Sequence, residues 1–195
     1  MTIIARLNVT LEYMEPAVKR RLEAPFDLRL DRLHQTLQAA FGWTDSHLWE
    51  ISARDIRWGI PDPDWGDGPL NARKATLFDV IEDTGAKTLR YLYDFGDGWE
   101  HVIKVTTITD GDPETNYPVL LDGKGRCPPE DVDGPWGYGD FLEAIEDPKH
   151  ENHEHWLEWG PPDFDPNDAQ LDQLKANVAK LAKRWKPRRK KAKSS

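Results

Sequence analysis

Asp94, Asp97, Glu100 and His101 crowd into one stretch of nine residues, Tyr-Asp-Phe-Gly-Asp-Gly-Trp-Glu-His at 93–101. Gly and Asp tolerate positive φ, so Phe95, Gly96, Asp97 and Gly98 predict a turn that brings side chains from two strands together. A carboxylate–imidazole set of this kind suits zinc, manganese or iron. Two further blocks could complete a site: Cys-Pro-Pro-Glu-Asp at 127–131, and a His-rich acidic segment at 150–155. His150 and His153 are three apart, so a helix would put them on nearby faces. The candidate ligands for a divalent transition metal are therefore Asp94, Asp97, His101, His150 and His153. No single-segment motif such as His-Glu-x-x-His is present.

Each feature also has a purely structural reading. Asp94 and Asp97 can bond backbone amides and stabilise the turn, a role the neighbouring glycines favour. Pro128 and Pro129 form a rigid spacer that presents Glu130 and Asp131. Cys127 paired with His101 would have the chemistry of a nucleophile, but the sequence supplies no demonstrated activating base. Gly96 and Gly98 do not make a phosphate loop, because no helix amino terminus with Lys-Ser/Thr follows. Trp43, Trp49, Trp99, Trp136 and Trp156 either line an aromatic cleft or anchor the core and loops, and the second reading is favoured.

The elements that must position these groups follow from periodicity. Ile3, Ala5, Leu7, Val9, Leu11 and Tyr13 alternate with mostly polar neighbours, which predicts a half-buried strand. Val18, Arg20 and Leu22 resume the alternation beyond Pro16 as a hairpin partner. Leu30, Leu33, Leu37, Ala40 and Phe41 predict a helix over 29–41 that stops at Gly42. Residues 47–57 read as a strand, 59–71 as a long loop, and 76–82 as a short helix capped by Thr76. Leu89, Tyr91 and Tyr93 form one face of a strand, and Trp99, His101, Ile103 and Val105 one face of its partner. A short strand at 118–121, a loop at 122–137, helices at 138–147 and 150–159, and a last helix from Leu171 to Trp185 complete the chain. The expectation is an α+β fold, a single domain over 1–182 with an antiparallel β-sheet covered by helices.

Composition narrows the function classes. The chain has 195 residues, 38% of them hydrophobic and 31% charged, which fits one sizeable core. Eight Lys/Arg and no acid lie in 183–195, so the formal charge of −9 leaves −9 − 8 = −17 on residues 1–182. An acidic body repels phosphates, whereas a basic, disordered tail can touch nucleic acid or an acidic protein through Arg184, Lys186, Arg188, Arg189, Lys190 and Lys191. A single cysteine fits a reducing cytoplasm. No apolar run approaches a membrane span, and no secretory signal opens the chain.

Several linked motifs carry a family likeness: Gly42-Trp43 followed by His47-Leu48, the run 91–101, Cys-Pro-Pro-Glu-Asp-Val at 127–132, Gly137-Tyr138, Asp-Pro-Lys-His at 147–150, and Trp159 followed by Phe-Asp-Pro at 164–166. The chain resembles the plasmid Ri open-reading-frame-three family, which includes passenger proteins of insertion sequences. The resemblance implies a compact α+β domain with a mobile-element association. Some such proteins carry a transposon-resolution label by association, but this sequence has no recombinase nucleophile constellation. Against the family pattern that the resemblance implies, Asp133 stands where Gly is usual and Lys19 where Trp is common, and the second departure is expected to expose a surface that relatives cover. The combined expectation is an accessory or binding protein. Its cleft would involve Asp94, Asp97, Trp99, His101, Glu130, Asp131 and Tyr138, with a metal-dependent hydrolase or nuclease as the alternative.

Overall fold

The computed structural model describes residues 2–62, 66 and 68–186. Alternating burial builds the first hairpin. In β1 (Ile3–Leu11) and β2 (Val18–Pro25), Leu7, Val9, Leu11, Val18 and Leu22 face the core, while Arg6, Asn8, Lys19 and Arg21 face solvent. Period two fails at both ends of the first run. Ile4 is buried because the chain near Gly111 folds against it, and Tyr13 lies beyond the strand in a left-handed turn conformation. Arg20 keeps the core-side position that its spacing predicts. Burial without a carboxylate is offset by four carbonyl acceptors, those of Ala40, Lys19, Lys124 and Gly125.

The helix α1 (Leu30–Phe41) buries Leu30, Leu33, Leu37 and Phe41, and ends at Gly42, whose φ of 89° suits a residue without Cβ. The run at 47–57 is two strands rather than one: Arg54, at φ 51°, and Asp55 turn β3 (Trp49–Ala53) into β4 (Ile56–Gly59). After the two-residue β5 (Leu70–Asn71) and a short 3-10 turn, α2 (Leu77–Thr84) starts from a capping box between Thr76 and Asp79. The hairpin of β6 (Thr88–Tyr93) and β7 (Trp99–Asp110) follows, then β8 (Val119–Lys124). The helix α3 (Gly134–Glu146) begins within the expected loop, because Pro135 in its first turn needs no amide partner. The elements α4 (His153–Trp159) and α5 (Leu171–Trp185) close the described chain.

The eight strands form one sheet in the order β5-β4-β3-β6-β7-β1-β2-β8, antiparallel at every described pairing except β4 with β5. Helix α5 packs on both α1 and β8, which puts these two helices together on one side of the sheet. The fold is α+β, as the order of periodic segments predicts. Among the described residues, no helix is long and apolar enough to cross a membrane. The basic segment from residue 187 onward, with Arg188, Arg189, Lys190 and Lys191, lies outside the described residues; Arg184 and Lys186 stand in and just after the last turn of α5.

Candidate functional site

The turn between β6 and β7 fixes the first site residue. Asp94 adopts φ 57°, and its Oδ1 accepts the amide of Gly96 at 2.9 Å and, more weakly, that of Asp97 at 3.4 Å. This local bonding is the turn chemistry expected of aspartate. It leaves Oδ2 facing His47 Nδ1 at 3.3 Å. On the other edge of the same imidazole, Nε2 lies 3.2 Å from Oδ1 of Asp131. That nitrogen is shielded from solvent, yet it makes no aligned hydrogen bond. Donor atoms of His47, Asp94 and Asp131 all lie within 4.8 Å of one another, the one such triple among the described residues.

Two loops converge to make this possible. The 42–48 loop is held by Glu130, whose carboxylate accepts the Thr44 amide and hydroxyl and the Tyr93 hydroxyl, the last at 2.6 Å. The Tyr93 hydroxyl in turn accepts the amide of Ser46. Burial and the Glu130 carboxylate keep the Tyr93 phenol protonated far above its ordinary range. The 127–133 loop is clamped to the hairpin at Gly134, which has φ 70° and whose Cβ, if present, would lie 2.3 Å from the Asp97 carbonyl. Asp97 stands beside the triple. Burial, then the charges of Asp94, Asp133 and Asp131, raises its carboxyl, against a lowering hydrogen bond from the Gly134 amide.

The remaining expected residues are distributed differently. His101 is fully buried beneath the cleft, edge-on to Phe41 and Trp43. Its Nδ1 faces the carbonyls of Tyr91 and Trp99 at 3.2 and 3.1 Å, so this nitrogen carries the proton. Burial depresses its pKa to about 3. Trp99 and Tyr138 are also core residues. Burial pushes the Cys127 thiol strongly upward, which makes a thiolate–imidazole pair with His101 unfavourable. His153 bonds the Ala144 carbonyl through Nδ1, and His150 accepts the Asn152 amide, so both brace the α3–α4 connection. Trp43, Trp49 and Trp99 are core anchors, whereas Trp136 is 90% exposed.

Sequence reasoning left His47 out of the ligand set, although His47-Leu48 was among the motif residues. It also missed a hydrogen-bonded relay that runs from β6 through α1 to the same loop. His34 Nε2 lies 2.6 Å from Asp45 Oδ1, and Nδ1 lies 2.8 Å from the Tyr91 hydroxyl, which accepts from Gln38. The carboxylate assigns the proton to Nε2, and Tyr91 then donates to Nδ1. Burial lowers the His34 pKa against the opposing pull of Asp45.

The profile of the plasmid pRiA4b ORF-3-like proteins matches residues 3–173. The chain belongs to that family. It is 53% identical over 190 residues to the Sinorhizobium fredii protein y4hQ, covering 96% of this chain and 97% of that one. Its fold is similar to the crystal structure of MM3350 from Methanosarcina mazei, with a TM-score of 0.80 and 29% identity over 88% of this chain and 97% of that chain. The α+β architecture described above is thus similar to that of the MM3350 structure.

Proposed function

We propose that this member of a plasmid-related family is a mobile-element-associated accessory protein that binds its partner without turning it over. A divalent transition-metal ion at His47, Asp94 and Asp131 forms part of the binding surface. The observation that carries this reading is the His47 imidazole between two carboxylates, with the solvent-shielded Nε2 lacking an aligned hydrogen bond. One nitrogen and two oxygen donors suit zinc or manganese and leave coordination positions open for a partner's oxygen. Asp97 adds negative charge beside them. Leu48 and Phe95, each next in sequence to a site residue, are exposed and supply apolar contact. Binding is favoured over turnover because the residues suited to nucleophilic chemistry, Cys127 and His101, are held thiol and neutral.

Calorimetric titration of the metal-stripped full chain with Zn2+ and Mn2+ tests the assignment. One saturable site per chain is expected, weakened by roughly 100-fold or more in His47→Ala and Asp94→Asn. Absence of a saturable site, or an unaltered site in His47→Ala, overturns it. Metal-dependent cleavage of a phosphodiester, lost in the same variants, would move the chain to the hydrolase class.

A further inference from the structure

The face of β1, β2 and β7 turned away from the core carries a charge pattern at odds with the rest of the molecule. Lys19 in β2 stands directly across from Lys124 in β8, and Lys104 in β7 is in register with Asn8 in β1, which pairs in turn with Arg21. All four basic residues are exposed. They surround a depression of about 390 Å3 that Asn8 and Thr10 also line. Its one acid, Asp122, is taken by Arg21 at 3.4 Å. Nearby charges are matched in the same way, Arg6 with Glu23 and Arg90 with Glu100. Lys19, Lys104 and Lys124 have no ion pair among the described residues.

Like charges directly opposite in an antiparallel pair destabilise a sheet. An acidic protein has carboxylates to spare, so their omission here calls for a cause. Protection of a sheet edge explains lysine on β8, the edge strand, but not on β2 or β7, which lie inside the sheet. From β7 to β8 the patch crosses three strand spacings, roughly 14 Å. That is about the axial rise of four successive nucleotide steps on one nucleic-acid strand. The Asn8 amide and Thr10 hydroxyl between the lysines are donors of the kind that bond phosphate oxygens.

We propose that this sheet face is a docking surface for the phosphate backbone of a nucleic acid, centred on Lys19, Lys104 and Lys124. It is separate from the acidic metal site and independent of it. The contact is with phosphates and carries no base specificity, because the patch is built from paired strands around a depression rather than from a helix or ribbon that could enter a groove.

Fluorescence polarisation of a labelled mixed-sequence DNA duplex with the full chain provides the test. K19Q/K104Q/K124Q is compared with K149Q/K175Q/K180Q, which removes the same charge from exposed lysines on the helical side. The sheet-face variant is expected to bind roughly tenfold more weakly at low salt, with a log–log salt slope smaller by about 2. The control variant should change affinity less than about twofold. A third protein, with Arg188, Arg189, Lys190, Lys191 and Lys193 replaced by serine, should bind more weakly but still depend on the sheet lysines. The thermal midpoint of K19Q/K104Q/K124Q should rise at low salt as repulsion is relieved, which separates lost contact from lost folding. Equal effects of the two triple variants, binding that depends on the tail alone, or no binding by the unaltered chain overturns the proposal. Displacement of the duplex by polyglutamate at matched charge concentration would assign the face to an acidic protein instead.

Discussion

Asp94 carries two tasks with one carboxylate: Oδ1 closes the turn and Oδ2 faces His47. The first task was legible, because Tyr-Asp-Phe-Gly-Asp-Gly can hardly be anything but a turn. The second was not, because it depends on the path of the 42–48 loop, which no periodicity encodes. His101 illustrates the converse. Its alternation with Trp99, Ile103 and Val105 puts it on one face of β7, its chemistry suggested the cleft, and the structure turns that face into the core. A neutral buried imidazole has a stability consequence. Its folded pKa, about 3, lies below the ordinary value of 6.5, so the unfolded chain binds the extra proton first as pH falls. The contribution of His101 is complete above about pH 6.5 and is lost progressively toward pH 3. Urea unfolding should therefore find the chain less stable at about pH 4.5 than at pH 7.5, with roughly 2–3 kcal/mol of the drop absent in His101→Gln.

Elements with strong periodicity and clear punctuation were readable to within a few residues. Helix α1 ends at Gly42 and α2 begins after Thr76, as their cap residues indicate. Replacing Thr76 with Ala removes one half of the capping box and should cost about 1 kcal/mol in urea unfolding. The β3–β4 hairpin was hidden because Arg54 and Asp55 lack a glycine to advertise the turn, so 47–57 looked continuous. Helix α3 starts earlier than its sequence advertises for a related reason: Gly134, Pro135 and Gly137 look like loop residues. Gly134 is where the sequence most constrains the site, since a side chain there meets the Asp97 backbone at positive φ. Gly134→Ala should destabilise the chain by about 2–4 kcal/mol. Because it also pushes the 127–133 loop off the hairpin, metal affinity should fall in protein that remains folded. Unchanged affinity in Gly134→Ala would show that the two loops are not coupled.

At the scale of the whole molecule, the α+β class followed from the order of strands and helices, but the sheet order did not. Placing β7 between β6 and β1 joins segments some hundred residues apart in sequence, such as Ile3 with Asp110, and only three-dimensional packing selects that partner. Charge distribution was half legible. The basic end stood out as a run, whereas the lysine face is scattered over three strands and assembles only in the sheet. Ending the chain after Lys186 removes Arg188, Arg189, Lys190, Lys191 and Lys193, taking the formal charge from −9 to −9 − 5 = −14. Since α5 ends at Trp185, this truncation should leave unfolding free energy within about 0.5 kcal/mol of the full chain. A larger loss would mean that the tail packs on the body.

The His34 ring lies flat against Trp49, with centroids 4.1 Å apart and planes 6° from parallel, while Asp45 on the 42–48 loop holds its far nitrogen. His47, two residues beyond Asp45, faces the carboxylates. An indole in van der Waals contact with an imidazole emits differently when that ring moves or gains charge. The chain therefore contains its own optical gauge: the part of its emission lost in Trp49→Phe should report occupancy of the cleft without any added dye.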